Sequence, residues 1–109
     1  MMMRIGFFKV HPDRVERLRA WTQELTDRRA EVLETFRAES TTHECAYLLQ
    51  GASGPILVYV QEVDDLDQAR RAFAASEFPI DLQHKQTMTE VREGPAEVEL
   101  LFDISAERD

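Results

Sequence analysis

Ile56-Leu57-Val58-Tyr59-Val60-Gln61-Glu62-Val63 is the stretch on which the fold turns. It is dense in β-branched and aromatic residues and free of Gly and Pro, which marks a strand. Successive side chains of a strand point to opposite faces. Ile56, Val58 and Val60 therefore share one face, and Leu57, Tyr59 and Val63 share the other. A sheet built around such a strand is apolar on both sides and needs cover on both.

Just upstream, Gly51-Ala52-Ser53-Gly54 is a turn, and Thr41 to Gln50 reads as its partner strand, so the two form a hairpin. Further upstream, Met3 to Val10 is a strand with Ile5 and Phe7 opposed to Phe8 and Val10. From Pro12 to Ala38 the spacing predicts one long helix. Val15, Leu18, Leu25, Val32 and Phe36 share a stripe that Trp21 and Leu33 widen. Thr22 and Arg29 also fall on that stripe, and an arginine there must either snorkel to water or be buried and paired.

Downstream of the decisive strand, Asp65 and Gln68 resemble a capping box that opens a short helix with Leu66, Ala69 and Phe73 on one face. A second helix is expected from Pro79 to Arg92, with Ile80, Met88 and Val91 on its apolar stripe, His84 and Thr87 in register, and Gly94-Pro95 as its stop. Glu97 to Ile104 alternates cleanly, Val98, Leu100, Phe102 and Ile104 against Glu97, Glu99 and Asp103, and is expected to be the last strand. Residues 105–109 form a polar tail.

The order is βαββαβ, the pattern of an α+β ferredoxin-like domain spanning residues 1–104, with a four-stranded antiparallel sheet and helices on one face. No element remains to cover the second face. A second identical chain is the simplest cover, giving a homodimer through the open face of the sheet.

Composition narrows the partners. The chain has 109 residues, 21 acidic against 13 basic, for a net charge of −8. That charge argues against nucleic acid, whose phosphates require clustered Lys and Arg. Neither a membrane-spanning apolar run nor a leader pattern is expected. A single cysteine, Cys45, excludes an internal disulfide and suits a reducing, cytoplasmic setting. His11, His43 and His84 stand singly with no metal-ligand spacing, and Gly51 to Gly54 lies in a hairpin rather than between strand and helix. No metal and no cofactor is expected.

Asp81 and His84 lie three apart at a helix start and so share a surface. A carboxylate beside an imidazole is the arrangement of a general base, which makes His84 and Asp81 the candidate catalytic pair. The blander reading has Asp81 capping the helix and His84 as a satisfied core histidine. In strand 41–50 one register puts Glu44 under the helices with Thr42, Ala46 and Leu48, where Arg29 and His84 can converge on it. The opposite register turns His43, Cys45 and Tyr47 inward and dissolves that cluster. Such a cluster is either a polar-ligand site or a self-satisfying ion pair. Arg29, Glu44, Trp21 and Tyr59 are the ligand-binding candidates, and the aromatic residues serve equally well as core.

The segment Pro79-Ile80-Asp81-Leu82-Gln83-His84, and the run Arg28-Arg29-Ala30-Glu31 through Thr35, Glu39 and Glu44, carry a resemblance. The whole chain resembles the dimeric α/β-barrel superfamily, which includes antibiotic-biosynthesis monooxygenases and haem-degrading enzymes. More narrowly, it is similar to a small bacterial family of unassigned function. The resemblance implies the fold and the dimer, and assigns no activity. The expectation is a homodimeric domain of unassigned function that binds a small molecule between sheet and helices. The alternatives are a non-catalytic dimerisation or interaction module, and a cofactor-independent monooxygenase-like or haem-handling enzyme. For haem, His84 is the one axial ligand on offer.

Overall fold

The apolar alternation of the decisive stretch forms a strand at the heart of a four-stranded antiparallel sheet. The structure, a computed structural model, describes residues 2–106. Strands β1 (Met2–Val10), β2 (Thr41–Gly51), β3 (Gly54–Val63) and β4 (Arg92–Pro95) lie in the order β2-β3-β1-β4. Helices α1 (Val15–Asp27) and α2 (Arg29–Glu39) connect β1 to β2, while α3 (Leu66–Ala75) and α4 (Pro79–Val91) connect β3 to β4. A single 3-10 turn, Pro12–Arg14, leads into α1. This is an α+β domain with an open sheet, compatible with the ferredoxin-like fold.

Val10 and Leu57 pack with Leu18 and Trp21 of α1 and with Ile80, Met88 and Val91 of α4 in one buried cluster, which places the helices on one face. On the other face Met3, Ile5, Tyr47 and Leu49 are exposed. Strand register lines up three rows beneath the helices. Phe8, Leu57 and Leu48 form an apolar row; Gly6, Tyr59 and Ala46 form the next; Arg4, Gln61 and Glu44 form a polar one. An irregularity between Thr41 and His43 sets this parity, with Thr41 buried opposite Val63 and Glu44 turned toward the helices. Of the two registers open for strand 41–50, this is the one that keeps Glu44 under cover.

Two expectations are corrected. The helix expected from Pro12 to Ala38 is broken at Arg28, whose backbone N–H donates to the Glu24 carbonyl while its own carbonyl starts the bonds of α2. An unbroken helix would carry Arg29 on the buried stripe. With the break Arg29 is exposed, while Val32 and Phe36 stay partly buried. The Arg28 guanidinium clasps the break by pairing with Glu24 at 2.7 Å and Glu31 at 2.8 Å.

The strand expected over Glu97–Ile104 is also absent from the sheet. Residues 92–95, expected to end a helix and stop it, form β4 instead, and the chain leaves β1 after Ala96, whose N–H donates to the Phe7 carbonyl. Alternation alone marks strand character; it does not supply a ladder partner. Of the expected tail over 105–109, residues 107–109 lie outside the described residues.

Local chemistry elsewhere follows the sequence. Asp65 caps α3 by accepting the Gln68 N–H. Ser40 ends α2 in a left-handed conformation (φ 54°), and its hydroxyl reaches the backbone of Asp65, tying the end of α2 to the start of α3.

Candidate functional site

The polar row Arg4–Gln61–Glu44 stands where a core face should be apolar, and over it lies a cavity of about 160 Å³. Gly6 lines it without a side chain, and the Phe8 ring lies over Gly6, 2.8 Å from where a Cβ would stand. The helices bring Thr35 and Glu39 of α2, Phe73 of α3, and Asp81 and His84 of α4 to the same cavity. A larger cleft of about 660 Å³ adjoins it between β2 and the α1–α2 pair, and Glu44 and Tyr59 line both spaces.

His84 is held from both sides. The Trp21 indole N–H donates to His84 Nδ1 at 2.8 Å, and the Tyr59 hydroxyl lies 3.2 Å from Nε2. An indole is only a donor, so Nδ1 must be the acceptor and Nε2 carries the hydrogen of the neutral ring. That hydrogen points at the Tyr59 oxygen, which leaves the phenolic hydrogen for another acceptor. Burial, with the nearby Arg92 charge in second place, pushes His84 down to about 4, so the ring is neutral at pH 7. Burial and the Glu44 charge push the Tyr59 hydroxyl above its usual range, keeping it a donor.

The carboxyl groups divide their roles. Asp81 sits in the first turn of α4, the helix end that favours a negative charge, and accepts the Ser76 hydroxyl at 2.6 Å. Glu39 is the last residue of α2, the end that disfavours one. Burial, then the charges of Asp81 and Glu44 and a hydrogen bond to Asp81, push Glu39 up to about 8. At neutral pH Glu39 thus keeps its proton beside Asp81. Glu44 accepts the Gln61 amide at 2.6 Å and is itself raised, chiefly by burial.

Arg92 completes the wall. Its guanidinium carbon stacks 3.7 Å from the centroid of the Phe8 ring, and its Nε is buried with no hydrogen-bond partner among the described residues. Burial lowers its pKa.

The structure brings Asp81, Glu44, Tyr59 and His84 to the cavity. Trp21 stands behind His84 and buttresses it. Asp81 bonds Ser76, while the two nitrogens of His84 go to Trp21 and Tyr59. Arg29 is exposed and lines the neighbouring cleft with Glu44, apart from the cavity that holds His84. Sequence reasoning missed Arg4, Gln61, Glu39 and Arg92 as site residues. The parity of β1 and β3 was a usable signal for the first two, since a charged or amide residue recurs at a helix-facing position in each. Arg92 carried no signal while it was read as the end of a helix.

Haem does not suit this arrangement. The lone pair of Nδ1 is taken by Trp21 and Nε2 bears a hydrogen, so His84 has no free lone pair to offer an iron. Among the described residues no three or more His, Cys, Asp or Glu are grouped to hold a metal ion, and no helix is long and apolar enough to cross a membrane.

Fold and cavity together define a small α+β domain, compatible with the ferredoxin-like fold, with a polar cavity between sheet and helices. Over residues 1–109 the chain matches a family described as a family of unknown function, DUF6176, and it belongs to that family. No curated protein matches it.

Proposed function

We propose that the protein is a homodimeric ferredoxin-like domain of the dimeric α/β-barrel kind that binds a small, uncharged polar molecule between its sheet and helices. The observation that carries this reading is the polar-walled cavity itself, where Arg4, Gln61, Glu44, Tyr59, His84 and Arg92 line space beneath the helices that a core would fill with apolar side chains. Protein cores pack closely and leave few voids larger than a water molecule, so a purely structural core would have filled this space. About 160 Å³ is close to the size of an apolar cavity that holds benzene, which sets the scale of the ligand.

The ligand class follows from the wall. The Arg92 guanidinium and the Tyr59 hydroxyl offer donors to a carbonyl or hydroxyl oxygen, Glu44 and Asp81 offer acceptors, and Arg4 and Arg92 offset the carboxylates so that the wall favours no net charge. His84 is a positioning residue, with Trp21 fixing its tautomer and His84 fixing Tyr59. Asp81 acts by accepting the hydrogen bond of protonated Glu39. The dimer interface is the open sheet face, where Met3, Ile5, Tyr47 and Leu49 are exposed.

The test is a thermal-shift and calorimetric screen of neutral amides, alcohols and ketones on the full chain, repeated on Arg92→Met and Tyr59→Phe. Binding by the native protein that weakens at least about tenfold in both variants supports the reading, since each removes one hydrogen bond of roughly 1.4 kcal/mol. Binding that both variants retain unchanged overturns it.

A further inference from the structure

The structure leaves one segment with the character of a strand and no ladder. Beyond Ala96 the chain runs to Ile104 outside any helix or strand, and Val98, Leu100, Leu101, Phe102 and Ile104 are 60% to 82% exposed. A row of large apolar side chains at alternate positions is the pattern of a half-buried strand and not of a solvated tail. Among the described residues the sheet leaves edges without a strand partner: β1 from Met2 to Gly6, beyond the reach of the short β4, the outer side of β4 itself, and the whole outer side of β2. β2 is the longer of the sheet's two edge strands, eleven residues long, with Tyr47 and Leu49 exposed on its open face.

The two surfaces fit each other in kind. A strand added along β2 with Val98, Leu100, Phe102 and Ile104 on the open side continues the apolar face formed by Cys45, Tyr47 and Leu49. Its other side then carries Glu97, Glu99 and Asp103 toward the cleft between β2 and the helices, where Arg29 is exposed and pairs with no described carboxylate. Both the apolar and the charged pattern are satisfied by one parity, and a one-residue slip would invert both.

We infer that residues 97–104 of one copy dock as an added strand on the β2 edge of a second copy and roof the cleft lined by Arg29, Glu44 and Tyr59. The cleft wall is then incomplete in a single chain, and the partner's Glu99 and Leu101 help to close it. A second copy is the fitting occupant because arm and edge lie on one polypeptide, so a reciprocal exchange covers both at once. This inference rests on the homodimer proposed above.

The native Cys45 supplies the test, since it lies on the open face of β2 and is the chain's only cysteine. Single cysteines placed at 98, 100, 102 and 104, and at 97, 99 and 103 as parity controls, are treated with a short bis-maleimide, and covalent dimer is read on a denaturing gel. The exchange predicts roughly tenfold more covalent dimer for the best even position than for the odd ones, because a strand's faces alternate. Adding Cys45→Ser to that variant should remove the product. Sedimentation of the unmodified full chain separates the two claims. A dimer without parity-dependent cross-linking, as when the arm folds onto its own β1, overturns the exchange and leaves the dimer standing. A monomer overturns both.

Discussion

Glu39→Gln should stabilise the protein at alkaline pH and change the shape of its stability profile. In the native state Glu39 is pushed up to about 8 by burial and by Asp81 and Glu44, against an ordinary value of 4.5. The folded chain therefore holds a proton that the unfolded chain releases above about pH 4.5. The stability this contributes is fully present below that value and is lost as pH rises through about 8. Each unit is worth about 1.4 kcal/mol, so roughly 4 kcal/mol is lost between about pH 5 and pH 8.

His84 works in the opposite direction. Its folded value of about 4 lies below the ordinary 6.5, so its contribution is present above about pH 6.5 and is lost as pH falls toward 4. Between about pH 4.5 and 6.5 these two slopes cancel. Glu39 and His84 together should contribute no net slope there, and Glu39 alone a decline from about 6.5 to 8. In Glu39→Gln the amide still donates to Asp81 but carries no charge. The alkaline decline should flatten, and the acid side should fall from about pH 6.5 downward. Glu44, also raised, adds the same slope to both proteins, so the difference between them isolates Glu39. The assay is urea unfolding followed by fluorescence of Trp21, the only tryptophan, at fixed protomer concentration. Parallel profiles above pH 6.5 would refute the proton held on buried Glu39.

Other perturbations separate packing from function. His84→Ala leaves the Trp21 N–H and the Tyr59 hydroxyl without partners and opens a cavity, so it should cost about 3 kcal/mol in chemical denaturation. Tyr59→Phe removes only one hydroxyl, and its cost should stay near 1 kcal/mol while ligand binding weakens. Tyr47→Lys on the open face should leave the far-UV circular dichroism of the protomer intact and raise the dimer dissociation constant at least about tenfold by sedimentation. Wild-type dissociation at equal concentration would contradict the open face as the interface.

The order of the first three strands and their connecting helices, and the parity of β1 and β3, were legible because the signals are local: Tyr59 against Val58, the Asp65 cap, the turn at Gly51 to Gly54. The parity of β2 stayed open, because the irregularity between Thr41 and His43 sets it. The break at Arg28 was not legible. It is a tertiary compromise that turns Arg29 out while keeping Val32 and Phe36 on the sheet, and Arg28 itself carries no breaker signal. The segment around Phe102 was readable as a strand but not as one without a ladder, because alternation reports a side chain's environment and not which chain supplies it. The site was half legible. Asp81 and His84 stood out as titratable groups on one helix surface, and Glu44 as inward in one of the two registers open for its strand. Their bonding followed contacts distant in sequence, Trp21 to His84 and Glu39 to Asp81, that no spacing rule reaches.

The indole N–H of Trp21 gives a single cross-peak in a nitrogen–proton correlation spectrum and reports on His84 through their hydrogen bond. Titrating the full chain with neutral amides, alcohols and ketones should move that peak saturably for at least one compound, and the same compound should leave Arg92→Met unmoved. If no neutral polar molecule shifts the peak, or if native and Arg92→Met proteins respond alike, the space beneath Tyr59 is not a ligand site.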